Sequence, residues 1–235
     1  MVTDTLRAMA IVMAICTSTS AIGEQIKLTE STRQDLMSAM DDEAFQYMKY
    51  TLYAEQAKKN GNTRAAAVFE SIAAVERDKH FKVHAEYFGL VHSDEENLKD
   101  IAYAEEHVTP TGSRQDLLNA MKEEAFEHLK YALYAEQARK NGNKPAESVF
   151  ERMKTFERTS DDQDNFMRQA TNFGLVRSDA ENLEDAISGE HREATESYPA
   201  LASRAIAAGD AKVAQHFANV AKDEAEHENT FKALR

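Results

Sequence analysis

A stretch of thirty residues occurs twice in this chain. RQDLMSAMDDEAFQYMKYTLYAEQAKKNGN starts at Arg33 and RQDLLNAMKEEAFEHLKYALYAEQARKNGN at Arg114, an offset of 81 residues with 21 of 30 positions identical. The likeness resumes in AAAVFESIAAVER (65–77) against PAESVFERMKTFER (145–158), and in EYFGLVHSDEENLKD (86–100) against TNFGLVRSDAENLED (171–185). One supersecondary unit has been duplicated, and any fold must accommodate it twice. Leu36, Met40, Ala44, Met48 and Leu52 recur at helical spacing, so the unit opens with an amphipathic helix. Asn60-Gly61 and Asn141-Gly142 close the two copies of that helix, as left-handed C-terminal caps do. A second helix is expected from about Thr63 to Phe88, stopped at Gly89, and its copy stops at Gly174. Between the Glu-Arg pair and the Phe-Gly-Leu motif the second copy is four residues longer, about one turn of helix, with a polar insert around TSDDQD.

A third hairpin follows. Asn182 to Ala207 reads as a helix kinked at Pro199, Gly209-Asp210 as the turn, and Ala211 to Leu234 as the last helix. NLKDIAYAEEH (97–107) aligns with NLEDAISGEH (182–191) and then breaks at Thr109-Pro110-Thr111-Gly112. The expected order is therefore helices A and B, a truncated C, a second A and B, then C and D. With only 8 Gly and 3 Pro in 235 residues, an all-α fold is expected.

A formal net charge of −13 excludes the basic face that nucleic acid requires. Cys16 is the only cysteine, so neither a disulfide framework nor a CxxC knuckle is available. AMAIVMAIC (8–16) after Arg7, followed by TSTSAIG, resembles a secretory signal with cleavage near Ala21 or Gly23. Residues 1–23 are read as a signal peptide or an N-terminal extension, with export to the periplasm in the first case and a cytoplasmic protein in the second. The run is too short to span a bilayer, and no membrane span is expected in the mature chain.

Carboxylates and histidines stand at intervals that place them on common helix faces. Glu224 and His227 are three apart on the last helix, as are Glu190 and Glu193 on the third. The first hairpin carries Glu43 on A and Glu76 on B, with His80 four residues beyond Glu76. The second carries Glu124, with Glu127 and His128 nearby, and Glu157, with Asp161 where His80 stood. Two Glu plus Glu-x-x-His motifs on facing helices form a dinuclear carboxylate site, and such hard donors suit iron or manganese. His84, His92, His107, His191 and His216 read as surface residues.

These residues carry a resemblance to the rubrerythrins of the ferritin-like superfamily, covering about Arg33 to Arg235 with one hairpin extra. EAFQYMKYTLYAEQAKKNG resembles the family's first helix, placing its iron-binding glutamate at Glu43 and again at Glu124. AENLEDAISGEHREATESYPALA is similar to its third-helix signature, placing ligands at Glu190 and Glu193. VAKDEAEH matches its fourth-helix motif at Glu224 and His227, and the second-helix glutamate falls on Glu76 and Glu157. The tyrosines that hydrogen-bond these ligands would be Tyr50 or Tyr131, with Tyr198. The second-helix histidine is missing from both copies, where Lys79 and Ser160 stand. His80 substitutes if the helix distorts. The four cysteines of a rubredoxin centre are absent too.

The resemblance implies a ferritin-like four-helix bundle with an additional hairpin, two iron ions with manganese as the alternative, and a homodimer. It implies reduction of hydrogen peroxide in oxidative-stress defence, with electrons from a separate donor such as a rubredoxin. The alternatives are a ferroxidase or iron-storage protein acting with dioxygen, and a structural helical protein with a degraded site. Because contiguous hairpins pack most readily, the division expected is a first hairpin at 31–108 and a di-iron bundle at 113–235. Its ligands would be Glu124, Glu157, Glu190, Glu193, Glu224 and His227. In the alternative the first hairpin supplies Glu43, Glu76 and His80 to the same C/D ligands. A third arrangement packs the two A/B hairpins on each other around a second carboxylate cluster.

Overall fold

The computed structural model describes residues 27–104, 114–159 and 166–235. The expected signal segment, the break at 109–112 and nearly all of the polar insert lie outside the described residues. Every regular element among the described residues is helical.

Helix α1 (Glu30–Lys59) starts where the Thr29 hydroxyl accepts the Thr32 amide hydrogen bond, satisfying one of the orphan donors of a helix start. It ends at Gly61, whose φ of 77° is left-handed. That turn lets the Asn62 N–H reach back to the Ala57 carbonyl at 2.8 Å. Gly142 repeats the device at φ 72°. The return helix is α2 (Thr63–Val75), a π-helical turn over Glu76–Phe81, and α3 (Lys82–Phe88). Next come α4 (Asp94–Ala104), α5 (Arg114–Lys140), α6 (Lys144–Thr159) and α7 (Phe166–Phe173). Helix α8 (Asp179–Arg192) opens on a capping box between Ser178 and Glu181. It passes through a second π-helical turn, Glu193–Ser197, into α9 (Tyr198–Ala208). Pro199 lies in the first turn of α9, directly after the π turn. Helix α10 (Ala211–Lys232) closes the chain.

The four-helix bundle consists of α1, α2–α3, α8–α9 and α10. At one end Leu36 and Ala39 of α1 pack with Tyr198, Leu201 and Ala205 of α9 and with Val213, Phe217 and Val220 of α10. Towards the other end Phe69 and Phe231 meet with ring centroids 5.1 Å apart, and Tyr50 lies 5.4 Å from Phe231. The C/D hairpin therefore packs on the first A/B hairpin, and the expected bundle over 113–235 is corrected.

The physical reason lies in an exchange of third helices. Helix α8, which follows the second hairpin, docks on the first; Tyr53 donates to Asp185 at 3.0 Å and Lys49 pairs with it at 3.1 Å. Asn60 and Asn62 donate to Asp179 at 2.8 and 3.0 Å. Helix α4, which follows the first hairpin, docks on the second by the same contacts. Tyr134 and Lys130 each reach Asp100 at 3.1 Å. Asn141 and Asn143 donate to Asp94 at 3.1 and 2.8 Å. Ile101 of α4 joins Tyr134, Phe150 and Met153 in a core of their own. The second hairpin's counterpart of the α8 dock is thus occupied by α4, which leaves α8–α10 to the first.

The two A helices lie side by side, as the third arrangement expected. Met40, Ala44 and Met48 of α1 share a core with Met121, Ala125 and Leu129 of α5. Tyr47 stacks on His128 at 5.9 Å and Lys122 pairs with Asp42 at 2.5 Å. Both carboxylate–histidine groups found among the described residues nevertheless involve the first hairpin.

Candidate metal centre

Each bundle helix turns acidic side chains inward midway along its length. Glu43 comes from α1, Glu76 and His80 from the first π turn, Glu190 from the end of α8, and Glu193 from the second π turn. Glu224 and His227 come from α10. All seven are buried, Glu76, Glu190 and Glu224 completely at 0% exposure. Two overlapping groups emerge: Glu43, Glu76, His80 and Glu224, then Glu76, Glu190, Glu224 and His227, with potential ligand atoms within 4.8 Å of one another in each. Glu76 and Glu224 belong to both.

The π turn explains how His80 arrives there. In an α-helix a residue four positions on lies about 40° ahead of the first, and one three positions on about 60° behind. A π turn of roughly 4.4 residues swings the fourth position about 30° behind, near where a residue at i+3 would stand. The turn's hydrogen bonds follow suit, the Lys82 N–H reaching the Arg77 carbonyl five residues back. His80 Nδ1 consequently faces Glu76 Oε2 at 2.7 Å, Glu224 Oε1 at 3.0 Å and Glu43 Oε2 at 3.5 Å. His227 Nδ1 faces Glu224 at 2.9 Å, Glu76 at 3.2 Å and Glu190 at 3.5 Å.

Two tyrosines hold the outer carboxylates. Tyr50 donates to Glu190 at 2.5 Å, and the Tyr198 hydroxyl donates to Glu43. Gln46 donates its amide N–H to Glu193. Four buried oxygens, Glu43 Oε2, Glu76 Oε1, Glu190 Oε2 and Glu224 Oε1, accept no well-aligned hydrogen bond; each faces an imidazole Nδ1 that lies closer to another carboxylate oxygen. Unsatisfied buried carboxylate oxygens are costly, and one from each of four helices converging on a common volume suits bound cations. The donor set of carboxylates with two imidazoles suits iron or manganese.

Electrostatics agree. Burial pushes the Glu43, Glu190 and Glu193 carboxyls well above the usual range, with neighbouring carboxylates adding to the effect. For Glu76 burial acts in the same sense, but the His80 and His227 imidazoles outweigh it and hold the group low. Burial opposes charge on His227, yet the close Glu190, Glu224 and Glu76 carboxylates push it up to about 12. The metal-free cluster therefore carries protons on its imidazoles that cations would displace.

Several expected site residues lie elsewhere. Glu124 is half-buried on α5 and belongs to neither group. Tyr131 lies 3.4 Å from Glu127 in the second hairpin. The backbone of Glu157 falls in the last turns of α6, and its side chain lies outside the described residues. Glu124 thus does not join the ligands gathered among the described residues, where α4 has taken the second hairpin's dock.

His84, read as a surface residue, is fully buried, donates from Nδ1 to the His80 carbonyl and lies 3.4 Å from the Tyr198 hydroxyl. Its spacing of four from His80 was the available signal, because i and i+4 share a helix face. Gln46 was also missed; lying three residues beyond Glu43, it points the same way.

An all-α ferritin-like bundle enclosing a buried carboxylate–histidine cluster is the class that this fold and centre define. The family model for Rubrerythrin matches residues 35–159 and 160–235, and the chain belongs to the rubrerythrin family. A curated relative named Rubrerythrin, from Porphyromonas gingivalis (strain ATCC BAA-308 / W83), is 33% identical over 132 residues. The match covers 52% of this chain and 65% of that relative's length. No solved structure matches significantly.

Proposed function

We propose that this protein is a non-haem di-iron peroxidase that reduces hydrogen peroxide in oxidative-stress defence, using electrons from a separate donor protein. The observation carrying this reading is the membership of Glu76 and Glu224 in both ligand groups. A carboxylate has two oxygens, so Glu76 and Glu224 would each serve both groups, which would hold two cations as a pair. Iron held there would supply electrons and Lewis acidity for O–O cleavage. The protein's own groups supply the rest. Tyr50 and Tyr198 orient Glu190 and Glu43 through phenolic hydrogen bonds, fixing the outer ligands. Burial of the cluster limits competing water. Burial also favours a proton on Glu193; with Oε2 engaged by Gln46, Oε1 carries it towards the departing oxygen. Two protons and two electrons convert each peroxide to two waters.

Metal analysis of the purified protein should find about two iron or manganese ions per chain, and Glu224→Ala should lose both. Stopped-flow oxidation of the ferrous protein should run faster with hydrogen peroxide than with dioxygen. Faster oxidation by dioxygen would replace the peroxidase reading with a ferroxidase one, and a metal-free protein would remove both.

A further inference from the structure

Five carboxylates converge on the centre, but they are not equivalent. Glu43, Glu76, Glu190 and Glu224 each keep a buried oxygen that accepts no well-aligned hydrogen bond and faces an imidazole Nδ1; Glu193 is not among them. Its Oε2 accepts the Gln46 amide N–H, and Glu193 stands outside both ligand groups. Gln46 is 4% exposed, so its amide has little solvent to turn to, and a buried amide that loses its partner costs free energy. Meanwhile His80 is directed inward by the π turn, and its far nitrogen, Nε2, faces Asp223 at 3.4 Å. An imidazole whose outer N–H meets a carboxylate presents its other nitrogen to a metal. The second hairpin could not build this arrangement, because Glu127, which has no amide to donate, stands where Gln46 stands in the first.

We propose that Gln46 is a positioning residue that selects the ligands of one metal. By holding Glu193, it leaves the place beside Glu43, Glu76 and Glu224 to His80. This inference rests on the dinuclear reading and adds to it a determinant that touches no metal. Removing the amide frees the Glu193 carboxylate, buried three residues beyond Glu190, to compete with the neutral imidazole for the cation.

The test uses the full chain loaded with cobalt(II), whose paramagnetism shifts the exchangeable N–H proton of each coordinated imidazole far downfield in the proton NMR spectrum. Wild type is expected to bind two equivalents and show two such resonances, from His80 and His227, with His80→Ala identifying the first. Gln46→Ala and the bulkier Gln46→Leu should keep two equivalents while the His80 resonance is lost or weakened at least several-fold. Adding Glu193→Gln to either variant should restore it, because the competing carboxylate is gone; a merely structural role for Gln46 would not respond in this way. Two undiminished resonances in both single variants overturn the proposal, as does failure of Glu193→Gln to restore the signal. Two bound equivalents with a single imidazole resonance in wild type would also overturn it while leaving the dinuclear reading intact. A wild type that binds no metal would overturn both.

Discussion

Glu43 and Glu124 occupy the same position in the two copies, yet only Glu43 lies among the gathered ligands. Glu43→Ala should lower bound metal from about two ions per chain to one or none, whereas Glu124→Ala should leave the content unchanged; metal analysis of the two variants decides it. A second residue-scale consequence concerns Asp41, beside the contact between α1 and α5. Burial, and next the Asp42 carboxylate, raise it from 3.8 to about 6. A carboxyl raised on folding binds more protons folded than unfolded between those values, so stability falls as pH rises through that window. Above it the charged form carries the full penalty. At about 1.4 kcal/mol per pKa unit the shift corresponds to ~3 kcal/mol, reduced to ~1–2 kcal/mol by the group's partial exposure. Asp41→Asn should therefore raise the melting temperature at pH 7.5 and have little effect at pH 4. Equal gains at both pH values would show that charge on Asp41 is not the cause.

At the scale of single elements, the π turn over Glu76–Phe81 behaves as one inserted residue absorbed without altering the helix beyond it. Deleting Asp78, whose side chain is exposed and paired with Arg77, should turn the segment into a regular α-helix with histidine three residues after Glu76. Such a variant should keep its helicity by circular dichroism and bind two metal ions. Had the extra residue not been absorbed, its loss would rotate everything after it by about 100°, turning His84 and Ala85 out of the core and abolishing metal binding. The same turn shows what could be read beforehand. Helix ends were legible because Asn-Gly and Gly leave a local backbone signature. The pairs Glu190/Glu193 and Glu224/His227 were legible because an i,i+3 spacing constrains them to one face. His80 was legible only conditionally, since its place depended on a backbone distortion that no local preference announced. The contact between Gln46 and Glu193 spans 147 positions and left no local mark at all.

The whole molecule settles what the repeat left open. Two hairpins with near-identical faces competed for one C/D hairpin, and their shared residue pattern could not rank them. The discriminating information lay in α4, whose Asp94 and Asp100 copy the docking residues Asp179 and Asp185 of α8. Because the sequence after α4 breaks at Thr109-Pro110 and has no counterpart of the fourth-helix motif before the second hairpin begins, α4 fills that hairpin's dock without bringing ligands of the Glu224 and His227 kind. The duplicated chain thus places both partners of an exchanged pair of hairpins in one polypeptide, and all the gathered ligands come from that polypeptide. A complementation experiment follows from this. Glu43→Ala damages the first hairpin and Glu224→Ala the C/D hairpin, so either variant alone should be deficient in metal. If hairpins were exchanged between chains, co-refolding the two variants at equal concentration would pair an intact first hairpin with an intact C/D hairpin and regenerate some sites. With the exchange completed inside one chain, the intramolecular dock has the higher effective concentration, and the mixture should bind no more metal than the mean of the two separate variants. Recovery of wild-type-like centres in a substantial fraction of the refolded mixture, read by metal content and cobalt(II) absorption, would show that the hairpins trade between chains.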